Sequence, residues 1–244
     1  MKIFSIGSYS FAPKMVFVLL TLIVMGLFNT LGIWQLHRAD EKKVMLSNAL
    51  ARKKMSPILI RNKNESIENY QPIAAKGIYD SRHVFLLDNQ FYQHQLGYEV
   101  IEPMQISGRI ILVSLGWVRA PLDRQQLPVL ILPKGKKEIQ GTAYFPVRSS
   151  FVLGENVDKM KGVEHKNWPK RIERMDMLAI EQWLKMPVYP FILRLSPDQK
   201  LNSLFVRDWP IVTLSPERHV GYAIQWFAME FAVFIIFLGL NIKK

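Results

Sequence analysis

The chain contains no cysteine. That excludes disulfide scaffolds, thiolate zinc sites, thiol redox motifs and Cys-ligated clusters. It also leaves thiol-based copper delivery without its soft ligands. Nucleotide and hydrolase signatures are missing as well: there is no Walker A loop, no G-x-G-x-x-G, no G-x-S-x-G and no H-E-x-x-H. Histidine is scarce. His37, His83, His94, His165 and His219 make five, and no two stand three to five residues apart, so no local metal-ligand pair exists. His83 and His94 would meet across a hairpin, although solvated strand histidines account for them without a metal. A long basic run is absent too. Lys plus Arg number 32 against 20 Asp plus Glu, a net charge of +12, but the charges are scattered with no aromatic interleaving. This predicts a basic surface near lipid head groups and no nucleic-acid partner. The tightest group, Lys134, Lys136 and Lys137, lies beside the turn residues Pro133 and Gly135.

Long apolar runs are present, one near each end. Met15 to Trp34 is 20 residues without a charge. At about 1.5 Å per residue it reaches about 30 Å, the thickness of a bilayer core. A signal peptide would carry a shorter apolar region and a small-residue cleavage site. Gly32-Ile33-Trp34 reads instead as the end of an uncleaved anchor with an interfacial Trp. The second run, Val220 to Leu240, has Glu230 as its one charge. Its Leu, Ile, Val and Phe residues contribute about −3 to −7 kcal/mol to insertion, and a central acid costs about 2.5–3.5 kcal/mol. The segment should insert, and Glu230 needs a partner there.

These runs predict a tail over 1–14, a transmembrane helix over 15–34, an extramembrane domain over 35–219, a second transmembrane helix over 220–240 and a tail over 241–244. Two spans put both tails on one side. Cytoplasmic tails are expected, although Arg38, Lys42 and Lys43 outnumber Lys2 and Lys14 around the first span. Long domains cross largely regardless of such counts. Past the first span, Leu36, Ala39, Leu46 and Leu50 keep helical spacing to about Arg52, and Pro57 closes the helix. From Tyr70 the period changes to two. Strands are predicted at 73–80, 83–89, 97–106, 109–118, 138–146 and 190–196. Ile172, Met175, Ala179, Trp183 and Met186 predict a helix over 170–186, stopped by Pro187. The fold class expected is two transmembrane α-helices flanking one β-rich α+β domain.

The start of the second span, PERHVGYAIQWF, carries the unusual residues. With His219 at about 0°, Trp226 falls near −20°, Glu230 near +20° and Tyr222 near −60° on a helix of about 100° per residue. They share a face, which should meet the first helix, a partner or a cofactor, because an unpaired Glu230 in lipid is costly. A neutral His219 imidazole beside Tyr222 and Trp226 suits a haem axial ligand. An interfacial histidine within an aromatic belt suits the same residues. Equal depth places Trp34 and Gln35 level with His219 and Val220. It predicts an Asn29–Gln225 hydrogen bond and close approach at Gly26 opposite Glu230.

LGIWQLHRADEK, LLDNQ followed by LGYEVIEPM, RIILVSLGWVRAP and SPERHVGYAIQWF occur in this order. Together with the two end spans they resemble the Surfeit locus protein family of cytochrome c oxidase assembly factors. There are departures. Ser114-Leu115 stands where the family usually has Asn-Arg, Arg119-Ala120 precedes Pro121, and Gln90 replaces an Arg after Asp-Asn. The resemblance implies a non-enzymatic accessory protein that holds or delivers haem a while the catalytic subunit of the oxidase matures. Its implied partners are that subunit, the haem a synthase and the lipid bilayer. A protein-only scaffold without haem is the alternative. His219 falls on the family's candidate iron ligand, with Tyr222 and Trp226 beside it. The resemblance also implies a periplasmic domain. The N-terminus is not Arg- or Ser-rich, so a bacterial inner membrane is expected rather than a mitochondrial one.

Overall fold

The computed structural model describes residues 4–6, 9–11, 13–60, 66–146, 168–199 and 204–243. His165 lies outside them. In chain order the elements are β1 (Phe4–Ile6), β2 (Tyr9–Phe11), α1 (Met15–Lys53), β3 (Ile58–Ile60), β4 (Pro72–Tyr79), β5 (Phe85–Tyr92) and β6 (Gln95–Ile106). Then follow β7 (Arg109–Arg119), β8 (Lys136–Tyr144), β9 (Lys170–Ile172), α2 (Met177–Leu184), β10 (Val188–Leu195), α3 (Pro216–Asn241) and β11 (Ile242–Lys243). They form two compact units, residues 1–48 with 210–244, and residues 49–209.

In the first unit, α1 and α3 are both long and apolar enough to cross a membrane. α1 continues past its apolar stretch, where Arg38 and Glu41 pair at 2.6 Å on its exposed surface. Pro216 opens α3, where its fixed φ and missing N–H do no harm. The chain ends meet: β2 pairs antiparallel with both β1 and β11, placing Ile242 opposite Phe11. The start of α1 therefore lies beside the end of α3.

The second unit is an eight-stranded sheet of order β3-β4-β8-β10-β7-β6-β5-β9. An extra pairing of β4 with β6, Ile78 to Gln105 and Tyr79 to Met104, closes β4, β8, β10, β7 and β6 into a ring. Period-two alternation sorts the side chains. Ile73, Val100, Met104, Ile111, Val113, Phe191 and Leu193 pack one core, with the 120–135 connection adding Leu127, Leu130 and Leu132. Phe85, Ile101, Leu112, Ile180 and Ile192 pack a second core on the other face, roofed by α2. Each such buried side chain stabilises the unit by about 1.5–3 kcal/mol.

The predicted helix over 170–186 is corrected. Lys170–Ile172 is strand β9, parallel to β5, and the helix is only α2. Asp176 decides the boundary: its Oδ1 accepts from the N–H groups of Leu178 and Ala179, both at 3.2 Å, an N-cap in mid-segment. Ile172, Met175, Trp183 and Met186 still reach one core, because a strand and a capped helix present them to it in turn. The strand predicted at 83–89 lies at Phe85–Tyr92, and β3 was not predicted at all.

Candidate functional site

The candidate site lies on the facing surfaces of α1 and α3. His219 stands one turn into α3, and its Nδ1 is 2.8 Å from Oε1 of Gln35. Its Nε2 is buried and makes no hydrogen bond among the described residues. Two turns on, the Trp226 ring lies against Phe28 with centroids 5.6 Å apart, tilted by 40°. Phe227 covers Gly32: a Cβ there would fall 2.5 Å from Cε1 of the ring. Glu230 Oε2 accepts from Nδ2 of Asn29 at 3.3 Å. Contacts at 219, 226, 227 and 230 follow helical seam spacing. Three of the four residues singled out on α3 thus meet α1. The fourth, Tyr222, is exposed.

Two expectations about the pair are corrected. Asn29 bonds Glu230, whereas Gln225 is exposed. Close approach occurs at Gly32, and a Cβ at Gly26 would meet nothing within 4 Å. Helical side chains lean toward their own N-terminus. In an antiparallel pair, Glu230 therefore leans toward the His219 level while Asn29 leans the opposite way. Two long polar groups meet across about a turn, a shift that depth counting from Cα positions ignores.

In the β-rich unit the sequence motifs turn out to be irregularities of the sheet. Asp88 and Asn89 form a break in the β5–β6 register between Leu87 and Gln90, with Asn89 at φ 58°. Buried Asp88 receives Arg124 on both carboxylate oxygens, at 2.8 and 2.9 Å, and the Asn89 N–H at 2.6 Å. Trp117 Nε1 donates to the Gln90 carbonyl at 3.0 Å. Gly116 has φ 134°, and a Cβ there would lie 2.7 Å from the Val206 carbonyl, which accepts the Trp117 N–H. Only glycine fits that position. On the other face, Ser114 Oγ donates to Glu99 Oε1 at 2.6 Å, with Arg194 stacked 3.5 Å from the Tyr144 ring.

Sequence reasoning missed the Asp88–Arg124 and Glu99–Ser114 pairs. The available signal was an acid inside each strand pattern. His83 and His94 are not brought together. His83 precedes β5 and its Nδ1 lies 2.6 Å from Asp80, while His94 occupies the turn after it. No group of three metal-ligating side chains occurs among the described residues.

A curated relative, a SURF1-like protein of Dictyostelium discoideum, is 25% identical over 245 residues, covering 85% of this chain and 89% of its own. The profile of the SURF1 family matches residues 22–231, which takes in the paired helices, the Asp88 and Gly116 irregularities and His219, and the chain belongs to the SURF1 family.

Proposed function

We propose that the protein is an accessory factor of cytochrome c oxidase biogenesis that holds haem a while the catalytic subunit matures. In this reading the β-rich unit is periplasmic, in a bacterial inner membrane, with both termini cytoplasmic. The partners are the oxidase catalytic subunit and the haem a synthase. The SURF1 family is broadly linked to cytochrome oxidase assembly, and it is an assembly-factor family rather than an enzyme family.

The observation that carries the reading is the buried Nε2 of His219, which has no hydrogen-bond partner among the described residues. A buried polar atom left unpaired is costly, and a neutral imidazole nitrogen is the donor that haem iron takes. When bound, haem a would supply an iron centre for that nitrogen. The chain supplies the rest. His219 would donate the lone pair, and Tyr222 and Trp226 would flank the ligand with flat apolar surface. Purified full-length protein from cells that make haem a should show a Soret band. In His219→Ala that band should be lost or shifted, with normal membrane insertion and with oxidase maturation slowed rather than abolished. An unchanged band would remove His219 from the site.

A protein-only scaffold is the second reading. It is favoured by Leu122 and Val129, which are 99% and 92% exposed on the 120–135 connection. Absence of a Soret band in the unaltered protein would select it.

A further inference from the structure

We propose that Gln35 is a positioning residue for His219: its side-chain carbonyl accepts the Nδ1–H and holds the imidazole in the tautomer whose Nε2 carries the free lone pair. This inference rests on the reading of His219 as an iron ligand. A neutral imidazole has one donor and one acceptor nitrogen, and a ring without partners exchanges between its two forms. The hydrogen bond made by one nitrogen sets the state of the other. Here Nδ1 faces the Gln35 Oε1 at 2.8 Å, while Nε2 is buried and has no partner among the described residues. With the amide oxygen toward the ring, Nδ1 is the donor. The lone pair then belongs to Nε2.

Gln35 adds a second effect. It belongs to α1 and His219 to α3, so the bond spans the helix pair and fixes the ring plane as well as the tautomer. The same arrangement around metal-bound histidines raises ligand basicity. Gln35 touches no reacting atom; it acts through His219.

The test uses the full chain in lipid nanodiscs, free of haem, with 15N-labelled histidine. Long-range proton–nitrogen correlations report which ring nitrogen carries the proton. His219→Ala identifies the His219 signals among the five histidines. The unaltered chain should show His219 protonated at Nδ1 alone. In Gln35→Leu, loss of a hydrogen bond of ordinary strength should raise the other tautomer by about tenfold. Gln35→Glu keeps an acceptor and should retain the Nδ1–H form, which separates lost positioning from lost folding. Protonation of His219 at Nε2 in the unaltered chain overturns the proposal, as does an unchanged tautomer in Gln35→Leu. Failure of the underlying reading looks different: His219→Ala would leave the haem spectrum untouched, whatever the tautomer.

Discussion

Glu102 sits on β6 between Val100 and Met104, residues of the core that fills the closed part of the sheet. It is fully buried, and neither carboxylate oxygen has a hydrogen-bond partner among the described residues. The nearby Ser81 hydroxyl spends its bond on the Pro133 carbonyl at 3.2 Å. Burial pushes the Glu102 carboxyl up to about 7, with help from the charge of Asp80. Tyr79, buried in the same core, is pushed up by burial and by the charge of Glu102. The folded state therefore binds a proton that the unfolded chain releases once the pH passes its ordinary carboxylate range. Stability falls as pH rises from about 4.5 to about 7, and the penalty then stays constant at about 3 kcal/mol. Glu102→Gln should unfold at a higher temperature than the unaltered protein at pH 8 and at nearly the same temperature at pH 4.5. Thermal scans with equal differences at both pH values would contradict this account. Asp88 shows the opposite solution at the same scale. It is almost as buried, yet Arg124 and a backbone N–H satisfy it, as a buried carboxylate requires.

Among the elements, the pairing of α1 with α3 depends on Gly32. The Phe227 ring occupies the space of a side chain there, which brings the helices close enough for Gln35 to reach His219 and Asn29 to reach Glu230. Small residues at such contacts are what membrane helix pairs use, since lipid gives no hydrophobic drive between helices. Gly32→Leu should separate the pair, and Gly32→Leu with Phe227→Ala should restore it by emptying the same space. The cysteine-free chain makes the measurement direct: cysteines placed at Phe28 and Trp226, whose rings are 5.6 Å apart, should be joined in the parent by a short bifunctional maleimide. The yield should drop in Gly32→Leu and recover in the double variant. An undiminished yield in Gly32→Leu would show that the ring rotates away without moving the helices. In the β-rich unit, the LLDNQ and SLGWV segments are places where the ladder breaks. Asn89 and Gly116 have positive φ values, and a register shift re-aims neighbouring side chains.

For the molecule as a whole, the antiparallel strands β2 and β11 bring the two chain ends together, so both tails share a side of the helix pair. The cytoplasmic side is the proposal. A phosphatase fused after about residue 130, in the connection between β7 and β8, should be active in the periplasm, whereas one fused after Lys244 should be inactive. The reverse pattern would invert the topology. Much of this architecture was legible in the sequence because it follows from local periodicity. Uninterrupted apolar length marked the helices, with α1 running on to Lys53. Alternation marked the principal strands, and the wheel at 219, 222, 226 and 230 put one face of α3 together. What periodicity could not resolve was the segment 170–186, where the apolar spacing satisfies a strand followed by a capped helix as well as one helix. Only the tertiary structure decided which polar groups meet. Asp88 with Arg124, Glu99 with Ser114, Asn29 with Glu230 and Gln35 with His219 are 36, 15, 201 and 184 residues apart in the chain. Sequence spacing sets the face a residue occupies on its own element. The partner opposite it depends on strand register and helix rotation, which come from packing the whole chain at once.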